Sequence, residues 1–204
     1  MAIPKKLWFI WFGNKPSYVD FCINSFKKMN PDFEIYFIYK DKIEIDENDE
    51  IDKSIKTCMD WIKNPSECKY KSLINYDIKQ NFPYNVLLSN ILRVYIINKY
   101  GGIYLDCDTF PIKPFDDKLL SLQNFCITTL SPNGLLYKGR YFFGREVNSS
   151  SEKKMLYPTR ITYNNSFLEN YKKFRECNLE EVTPDNKLTY IEHFTMRYYK
   201  QNDS

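Results

Sequence analysis

The segment NVLLSNILRVYIINKYGGIYLDCD, residues 85–108, contains the patterns of a helix, a stop and a strand in direct succession. Residues 85–100 are apolar on nearly every side, which predicts a buried helix. Two glycines follow, and glycine readily takes the left-handed conformation that ends a helix. Residues 103–105 then predict a short strand that runs directly into Asp106 and Asp108.

Towards the N-terminus, strand and helix patterns alternate. Residues 7–12 form an aromatic and apolar run typical of a fully buried strand, and residues 34–39 predict a second buried strand. Between them, apolar residues recur at helical spacing after Ser17, which we expect to be an N-cap. Another helix is expected at about residues 54–63. This alternation favours an α/β fold with a mostly parallel central sheet flanked by helices.

Length and charge narrow the range of functions. The 204 residues suffice for one domain with a sizeable core, and we predict a single domain over residues 1–204. A net charge of +3, from 29 basic and 26 acidic residues, is too small to indicate a nucleic-acid partner. The densest charge run, residues 44–52, holds six carboxylates in nine positions. It predicts a solvated loop rather than a metal site.

The six cysteines show no C-x-x-C pair and no histidine at zinc-finger spacing. Since the first residues do not resemble a signal peptide, we expect free thiols and a cytoplasmic location. No run approaches the ~20 apolar residues of a membrane span, so we expect membrane contact to be at most peripheral.

Asp106 and Asp108 are candidates for metal binding. Residues that are two positions apart on a strand share a face and lie about 7 Å apart, at ~3.3 Å per residue. The carboxyl ends of the strands are where open α/β sheets hold their ligands. Hard oxygen ligands suit Mg²⁺ or Mn²⁺. Taken alone, Asp-x-Asp fits a surface turn with two solvated acids equally well.

Several collinear motifs make the assignment more specific. They are IPKKLWFIWFG at 3–13, NPDF at 30–33, SNILR at 89–93 and GGIYLDCD at 101–108, and they cover roughly the first 115 residues. They resemble the I-P-K-x-I-H-x-I-W-x-G, N-P-D-[YF] and S-D-x-x-R … G-G-x-Y-x-D-x-D signatures of the DXD-containing sugar transferases. That family includes glycosyltransferase family 32 and the catalytic domains of large clostridial glucosylating toxins.

The resemblance implies a GT-A (Rossmann-like) fold, a divalent cation (Mn²⁺ or Mg²⁺), a nucleotide-sugar donor and transfer with retention at the anomeric carbon. Residues 1–115 would form the nucleotide-sugar-binding half and residues 116–204 the acceptor side. The implied function is transfer of a hexose, with UDP-glucose or UDP-galactose favoured, to an unknown glycan or lipid-linked acceptor in glycan or polysaccharide synthesis.

The resemblance also assigns roles to individual residues. Asp106, Asp108 and Arg93 would be catalytic, and Asp108 and His193 would ligate the metal. The donor would be bound by Ile10, Trp11, Ser89, Asn90, Arg93, Tyr104 and Asp106. By this carry-over Trp11 would stack on the base, and Asp106 would hold ribose and sugar hydroxyls.

Each role has a structural alternative. Trp11 fits a core position, and Arg93 fits a salt bridge to Asp106 or Asp108, which is compatible with a role in the site. His193 fits a partly exposed histidine. Lys138, Arg140 and Arg197 are weaker candidates for binding the diphosphate and are typical of surface charge.

Three departures from the family pattern separate this chain from its relatives. Trp8 stands where the family usually has His, Asn90 where it has Asp, and Arg197-Tyr198 where it has a small residue and Trp. Two other functions stay open, the first because it too places Asp-x-Asp at the end of a strand and the second because of Trp8 and Asn90. One is a haloacid-dehalogenase-type phosphotransferase with Asp106 as nucleophile. The other is a catalytically degenerate nucleotide-sugar-binding module.

Overall fold

The computed structural model describes residues 3–68, 70–79, 81–121, 124–130, 136–145, 155–159, 165–183 and 190–194. Its strands are β1 (Lys6–Phe12), β2 (Glu34–Lys40), β3 (Gly102–Leu105), β4 (Thr109–Pro111), β5 (Asn124–Leu130), β6 (Leu136–Arg145), β7 (Met155–Thr159) and β8 (Ile191–His193). Its α-helices are α1 (Ser17–Met29), α2 (Glu50–Lys63), α3 (Lys71–Lys79), α4 (Tyr84–Tyr100), α5 (Asp117–Leu120) and α6 (Asn165–Arg175).

Six strands form the central sheet in the order β2-β1-β3-β6-β5-β7. The pairs β1–β2, β1–β3 and β5–β7 are parallel, whereas β6 runs antiparallel to both β3 and β5. Strands β4 and β8 pair in a separate antiparallel ribbon. The predicted α/β class with a mostly parallel sheet flanked by helices, as expected of a GT-A domain, is confirmed.

The alternation of side chains along β1 divides the core into two parts. Leu7 and Phe9 point into one cluster with α1, α6 and the residues around β8, while Trp8 and Ile10 point into a second cluster with α2 and α4. Successive residues of a strand face opposite sides of the sheet, so one strand supports both layers. The first cluster also joins residues from both halves of the sequence.

The glycine pair between α4 and β3 is required by geometry. Gly101 is the C-cap of α4 with φ 67°, and Gly102 has φ 97°. A Cβ on Gly102 would lie 2.6 Å from the backbone oxygen of Lys6, so only glycine lets β3 start this close to β1. Trp8 locks the same junction, since its Nε1 donates to the Gly101 carbonyl at 2.9 Å. The indole also stacks on Tyr36 at 4.3 Å between ring centroids.

Two local predictions were wrong. Strand β2 is not fully buried: only Ile38 is, because β2 is an edge strand of the described sheet and Tyr39 is 40% exposed. Ser17 is not the N-cap of α1, which is Pro16, with no side-chain cap hydrogen bond. The proline fixes φ near the value that the cap needs, so Ser17 becomes the first helical residue.

The acidic run, residues 44–52, is only partly the predicted loop, because its last three residues begin helix α2. Asp49 caps α2 by accepting a hydrogen bond from the backbone N–H of Asp52 at 2.8 Å. Asp52 is buried and accepts a hydrogen bond from Lys40 Nζ at 2.8 Å and another from the backbone N–H of Asp46 at 2.7 Å. Helix α2 therefore begins at Glu50, four residues earlier than the helix expected at 54–63.

The described cysteines carry free thiols, as predicted: Cys22, Cys58, Cys68 and Cys107 are buried and Cys177 is half-buried. Burial raises the pKa of the Cys22 thiol to about 12, so it stays protonated at neutral pH. Within the described residues, no helix has the length and apolar character needed to cross a membrane.

Candidate metal and donor site

Asp106 and Asp108 follow β3 at the carboxyl-end edge that parallel β1 and β3 share. A short turn separates β3 from β4, and its backbone is held at both acids. Thr109 Oγ1 donates to the Asp106 carbonyl at 2.7 Å. The backbone N–H of Phe194 donates to the Asp108 carbonyl at 2.9 Å. These two hydrogen bonds hold the backbone of the turn that carries both carboxylates.

His193 reaches this turn from the far end of the chain. Antiparallel pairing of β8 with β4 places His193 opposite Thr109. Its Nε2 lies 3.1 Å from Asp108 Oδ1 and 3.9 Å from Asp106 Oδ2. Burial lowers the pKa of His193, but the carboxylates of Asp108 and Asp106 together outweigh burial, and the net shift is upward.

Arg93 and Tyr104 converge on one oxygen of Asp106. Arg93 Nη1 donates to Asp106 Oδ1 at 2.8 Å, and the Tyr104 hydroxyl donates to the same oxygen at 2.6 Å. The guanidinium also lies over the Tyr104 ring, 4.6 Å from its centroid. Burial lowers the pKa of Arg93, but the negative charge of Asp106 raises it, and the net shift is upward. Burial raises the pKa of Tyr104 well above its ordinary value, so its hydroxyl remains a donor.

These contacts give the two carboxylates different surroundings. The Arg93 guanidinium and the Tyr104 phenol orient Asp106. The Arg93 side chain is 9% exposed and the Asp106 side chain is 24% exposed. Asp108 lies beside the imidazole of His193, with its Oδ1 3.1 Å from Nε2. The sequence alternative of an Arg93–Asp106 salt bridge is thus realised, and it lies within the candidate site.

Three side chains meet the requirements of a divalent-cation site. One carboxylate oxygen each from Asp106 and Asp108 and one imidazole nitrogen of His193 all lie within 4.8 Å of one another. Carboxylates suit Mg²⁺ and Mn²⁺, and a nitrogen ligand is also accepted by transition metals such as Mn²⁺. The donor set therefore fits the predicted cation.

The other predicted donor-binding residues make contacts within the protein. Trp11, half-buried at the end of β1, donates from Nε1 to the Asn14 carbonyl at 2.9 Å, and its ring meets Tyr18 edge-on. The side chain of Ile10 is buried in the core, 4% exposed. Its carbonyl lies 3.6 Å from the thiol of Cys107, the residue between the two acids.

Ser89 and Asn90 lie on α4 beside Arg93. The Ser89 carbonyl accepts a long hydrogen bond, 3.4 Å, from Arg93 Nε. Asn90 turns towards α3, where its Nδ2 donates to Asp77 Oδ2 at 2.9 Å. No prediction included Asp77 or α3, although Leu73, Ile74 and Asp77 at helical spacing are a weak signal for a helix.

Tyr18 is a second neighbour that the motifs do not indicate. Burial raises the pKa of its hydroxyl above the ordinary range, and the charge of Asp108 adds to the shift. Of the weaker diphosphate candidates, Arg197 and the side chains of Lys138 and Arg140 lie outside the described residues.

A family model described as "Glycosyltransferase sugar-binding region containing DXD motif" matches residues 16–126. The match includes Arg93, Tyr104 and both acids, whereas His193 lies beyond its end. It spans more than half of the chain.

Individual relatives are more distant. The chain is 29% identical over 136 residues to the Subversion of eukaryotic traffic protein A of Legionella pneumophila, covering 63% of this chain and 20% of that protein. It is 12% identical to the galactosyltransferase LgtC, solved with donor and acceptor sugar analogs, covering 93% of this chain and 87% of that one at a TM-score of 0.47.

Two toxin-related structures are also similar. The PaToxG glycosyltransferase is 20% identical, covering 72% and 55% of the two chains, and the catalytic domain of α-toxin from Clostridium novyi is 14% identical, covering 72% and 56%; both have a TM-score of 0.43. At such scores these likenesses add nothing to the family match. The chain spans about a fifth of the Legionella protein and just over half of the PaToxG chain.

Proposed function

Since the chain belongs to the family of glycosyltransferase sugar-binding regions that contain a DXD motif, we propose that it is a metal-dependent retaining glycosyltransferase. It transfers a hexose from a nucleotide sugar, with UDP-glucose or UDP-galactose favoured, to a hydroxyl of a glycan or lipid-linked acceptor. The whole chain acts as a single domain in the cytoplasm, in glycan or polysaccharide synthesis.

The observation that carries this proposal is the convergence of Asp106, Asp108 and His193 within 4.8 Å. These three residues would hold Mn²⁺ or Mg²⁺. A divalent cation supplies charge neutralisation at the departing nucleoside diphosphate. His193 belongs to the half that the sequence assigns to the acceptor, so both halves contribute to the site.

The remaining side chains orient and bind the donor. Arg93 and Tyr104 fix Oδ1 of Asp106, and the other oxygen, Oδ2, lies 3.9 Å from His193 Nε2. Because this carboxylate is held in place before substrate arrives, it contributes orientation without losing conformational freedom on binding. In the proposal Asp106 holds donor hydroxyls and Trp11 stacks on the base.

No described side chain of the site is assigned as a nucleophile, so the proposed reaction has a single chemical step without a covalent enzyme intermediate. The acceptor hydroxyl attacks the anomeric carbon on the face that the nucleotide leaves, and the departing phosphate takes the acceptor's proton. Asp106 is poorly suited to nucleophilic attack, because one of its oxygens accepts hydrogen bonds from both Arg93 and Tyr104. Family membership also favours a glycosyltransferase over the haloacid-dehalogenase-type alternative.

The test is hydrolysis of UDP-, GDP- and CMP-sugars with Mn²⁺ by the wild-type chain and by Asp108→Asn. Glu44→Gln is the matched control, because it removes one carboxylate from the exposed acidic run. We expect one sugar to be released in a reaction that requires Mn²⁺ and Asp108 but not Glu44. Metal-dependent nucleotide binding without release of any sugar, even with glycan acceptors added, would instead establish a binding module.

A further inference from the structure

Asp77 and Asn90 form a contact between helices α3 and α4. Asn90 Nδ2 donates to Asp77 Oδ2 at 2.9 Å across 13 positions of sequence. Asp77 is completely buried on α3, and Asn90 is half-buried on α4. A buried carboxylate is costly unless it accepts hydrogen bonds, so this contact is strongly favoured.

The contact fixes which end of the Asn90 amide faces the site. A side-chain amide has an NH₂ group that donates and a carbonyl oxygen that accepts. Asp77, when ionised, only accepts, so it selects the NH₂ group and turns Oδ1 of Asn90 away from α3. Within the described part of the chain, that Oδ1 accepts no hydrogen bond.

Asn90 and Arg93 are three residues apart and therefore share a face of α4. Arg93 on this face reaches Asp106 at 2.8 Å. Asn90 thus lies on the side of α4 that is directed towards the candidate donor site.

We propose that Asp77 is a positioning residue that makes Asn90 present a hydrogen-bond acceptor to a hydroxyl of the donor sugar. This inference rests on the proposed function and adds a specificity rule to it. A donor sugar with a hydroxyl at this point is bound, and the analogue in which that hydroxyl is replaced by hydrogen or a methyl ether is rejected. In this proposal Asp77 affects the sugar through Asn90 and not by direct contact.

The test exchanges the two side chains. Asn90→Asp sets two carboxylates at hydrogen-bonding distance, which disfavours the ionised pair and disturbs the acceptor. The exchange Asp77→Asn with Asn90→Asp restores one donor and one acceptor in reversed order, and still presents an oxygen to the site. Asn98→Asp is the matched control, since it makes the same change on α4 at a side chain without a hydrogen bond to any described residue.

We expect Asn90→Asp to raise the donor KM about tenfold, the equivalent of one hydrogen bond, with a smaller effect on kcat. The exchange should return the KM to within about threefold of wild type, and Asn98→Asp should leave it unchanged. Urea unfolding midpoints of all variants measure the contact itself, independently of activity.

Three results would overturn the inference. The first is an exchange variant whose KM is no better than that of Asn90→Asp. The second is an unfolding midpoint that recovers in the exchange variant while the KM does not, which makes the pair purely structural. The third is a wild-type protein that neither binds nor hydrolyses any nucleotide sugar. This result refutes the proposed function and the inference with it. It is distinguishable from the first two results because the wild-type protein itself is inactive.

Discussion

Two regions of the molecule are rich in carboxylates, and they use them differently. In the acidic run, residues 44–52, the acids cap a helix, pair with lysines or face solvent, with Asp52 the buried one. At the end of β3, only two acids are present, but they meet a buried arginine and a buried histidine. Density of charge therefore does not identify a site, whereas convergence of side chains from separate elements does.

The physical difference lies in what delivers the partners. Three partners of the acidic run, Lys53, Lys56 and Lys40, lie within 12 residues of their acids along the chain, and a fourth, Lys99, approaches Glu50 from α4. Arg93 and Tyr104 are likewise within 13 residues of Asp106, but His193 comes from β8, which lies more than eighty residues further along the chain. Bringing such groups together costs chain entropy that only the folded core offsets, so an arrangement of this kind is rarely accidental.

Asp108→Asn should give the largest effect. It keeps the side-chain volume but removes a charged ligand, and we expect metal-dependent turnover to fall about a thousandfold, since the cation contributes several kcal/mol to the transition state. Initial rates of sugar release at saturating Mn²⁺ check this. A loss below fivefold would show that Asp108 is not a metal ligand.

Arg93→Ala should have the next largest effect, on stability as well as on turnover. It leaves Oδ1 of Asp106 with only the Tyr104 hydroxyl, and we expect unfolding to become easier by about 3 kcal/mol, since one partner of a largely buried ion pair is lost. Urea unfolding measures the change. Arg93→Lys, which retains the charge, should recover part of the loss; equal losses in both variants would contradict the ion-pair account.

Asp52→Asn addresses the acidic run. The carboxylate is 8% exposed and bonded to Lys40, so we expect a loss of about 1–2 kcal/mol in stability, as for other hydrogen bonds to charged groups, and unchanged turnover. Thermal unfolding and the donor assay are run on the same preparation. A drop in turnover without a drop in stability would place catalytic function in the acidic run.

Glu47→Gln should give the smallest effect. Its ion pair with Lys56 is exposed, with side chains 74% and 51% accessible, and solvent screens such a pair so that it adds little to stability. We expect the midpoint of thermal unfolding to shift by less than the error of the Asp52→Asn measurement. A larger shift would mean that the acidic run is more tightly packed than its exposure indicates.

Much of the fold was predictable because its signals are local. The buried helix α4, the glycine stop and the strand before Asp106 are written in consecutive residues. The burial of β2 was mispredicted because an apolar run reports the composition of a strand and not its place in the sheet. The cap of α1 was misplaced because Pro16 and Ser17 are both good residues for a helix start.

The candidate site was only partly predictable. Asp106, Asp108 and Arg93 are recognisable from motif spacing, and His193 was indicated only by the family resemblance. Asp77 gives no motif at all, because its contact with Asn90 depends on how α3 packs against α4. Tertiary contacts of this kind leave almost no periodic trace in a single sequence.

The most direct test is a titration of Mn²⁺ in the presence of UDP, followed by electron paramagnetic resonance, on wild type, Asp108→Asn, His193→Gln and Glu44→Gln. The account predicts one bound Mn²⁺ in wild type and in Glu44→Gln. In Asp108→Asn and His193→Gln we expect at least tenfold weaker binding, because each variant loses one side chain that would ligate the metal. Undiminished Mn²⁺ binding in Asp108→Asn, with loss of binding in Glu44→Gln, would contradict it and move the metal site to the acidic run.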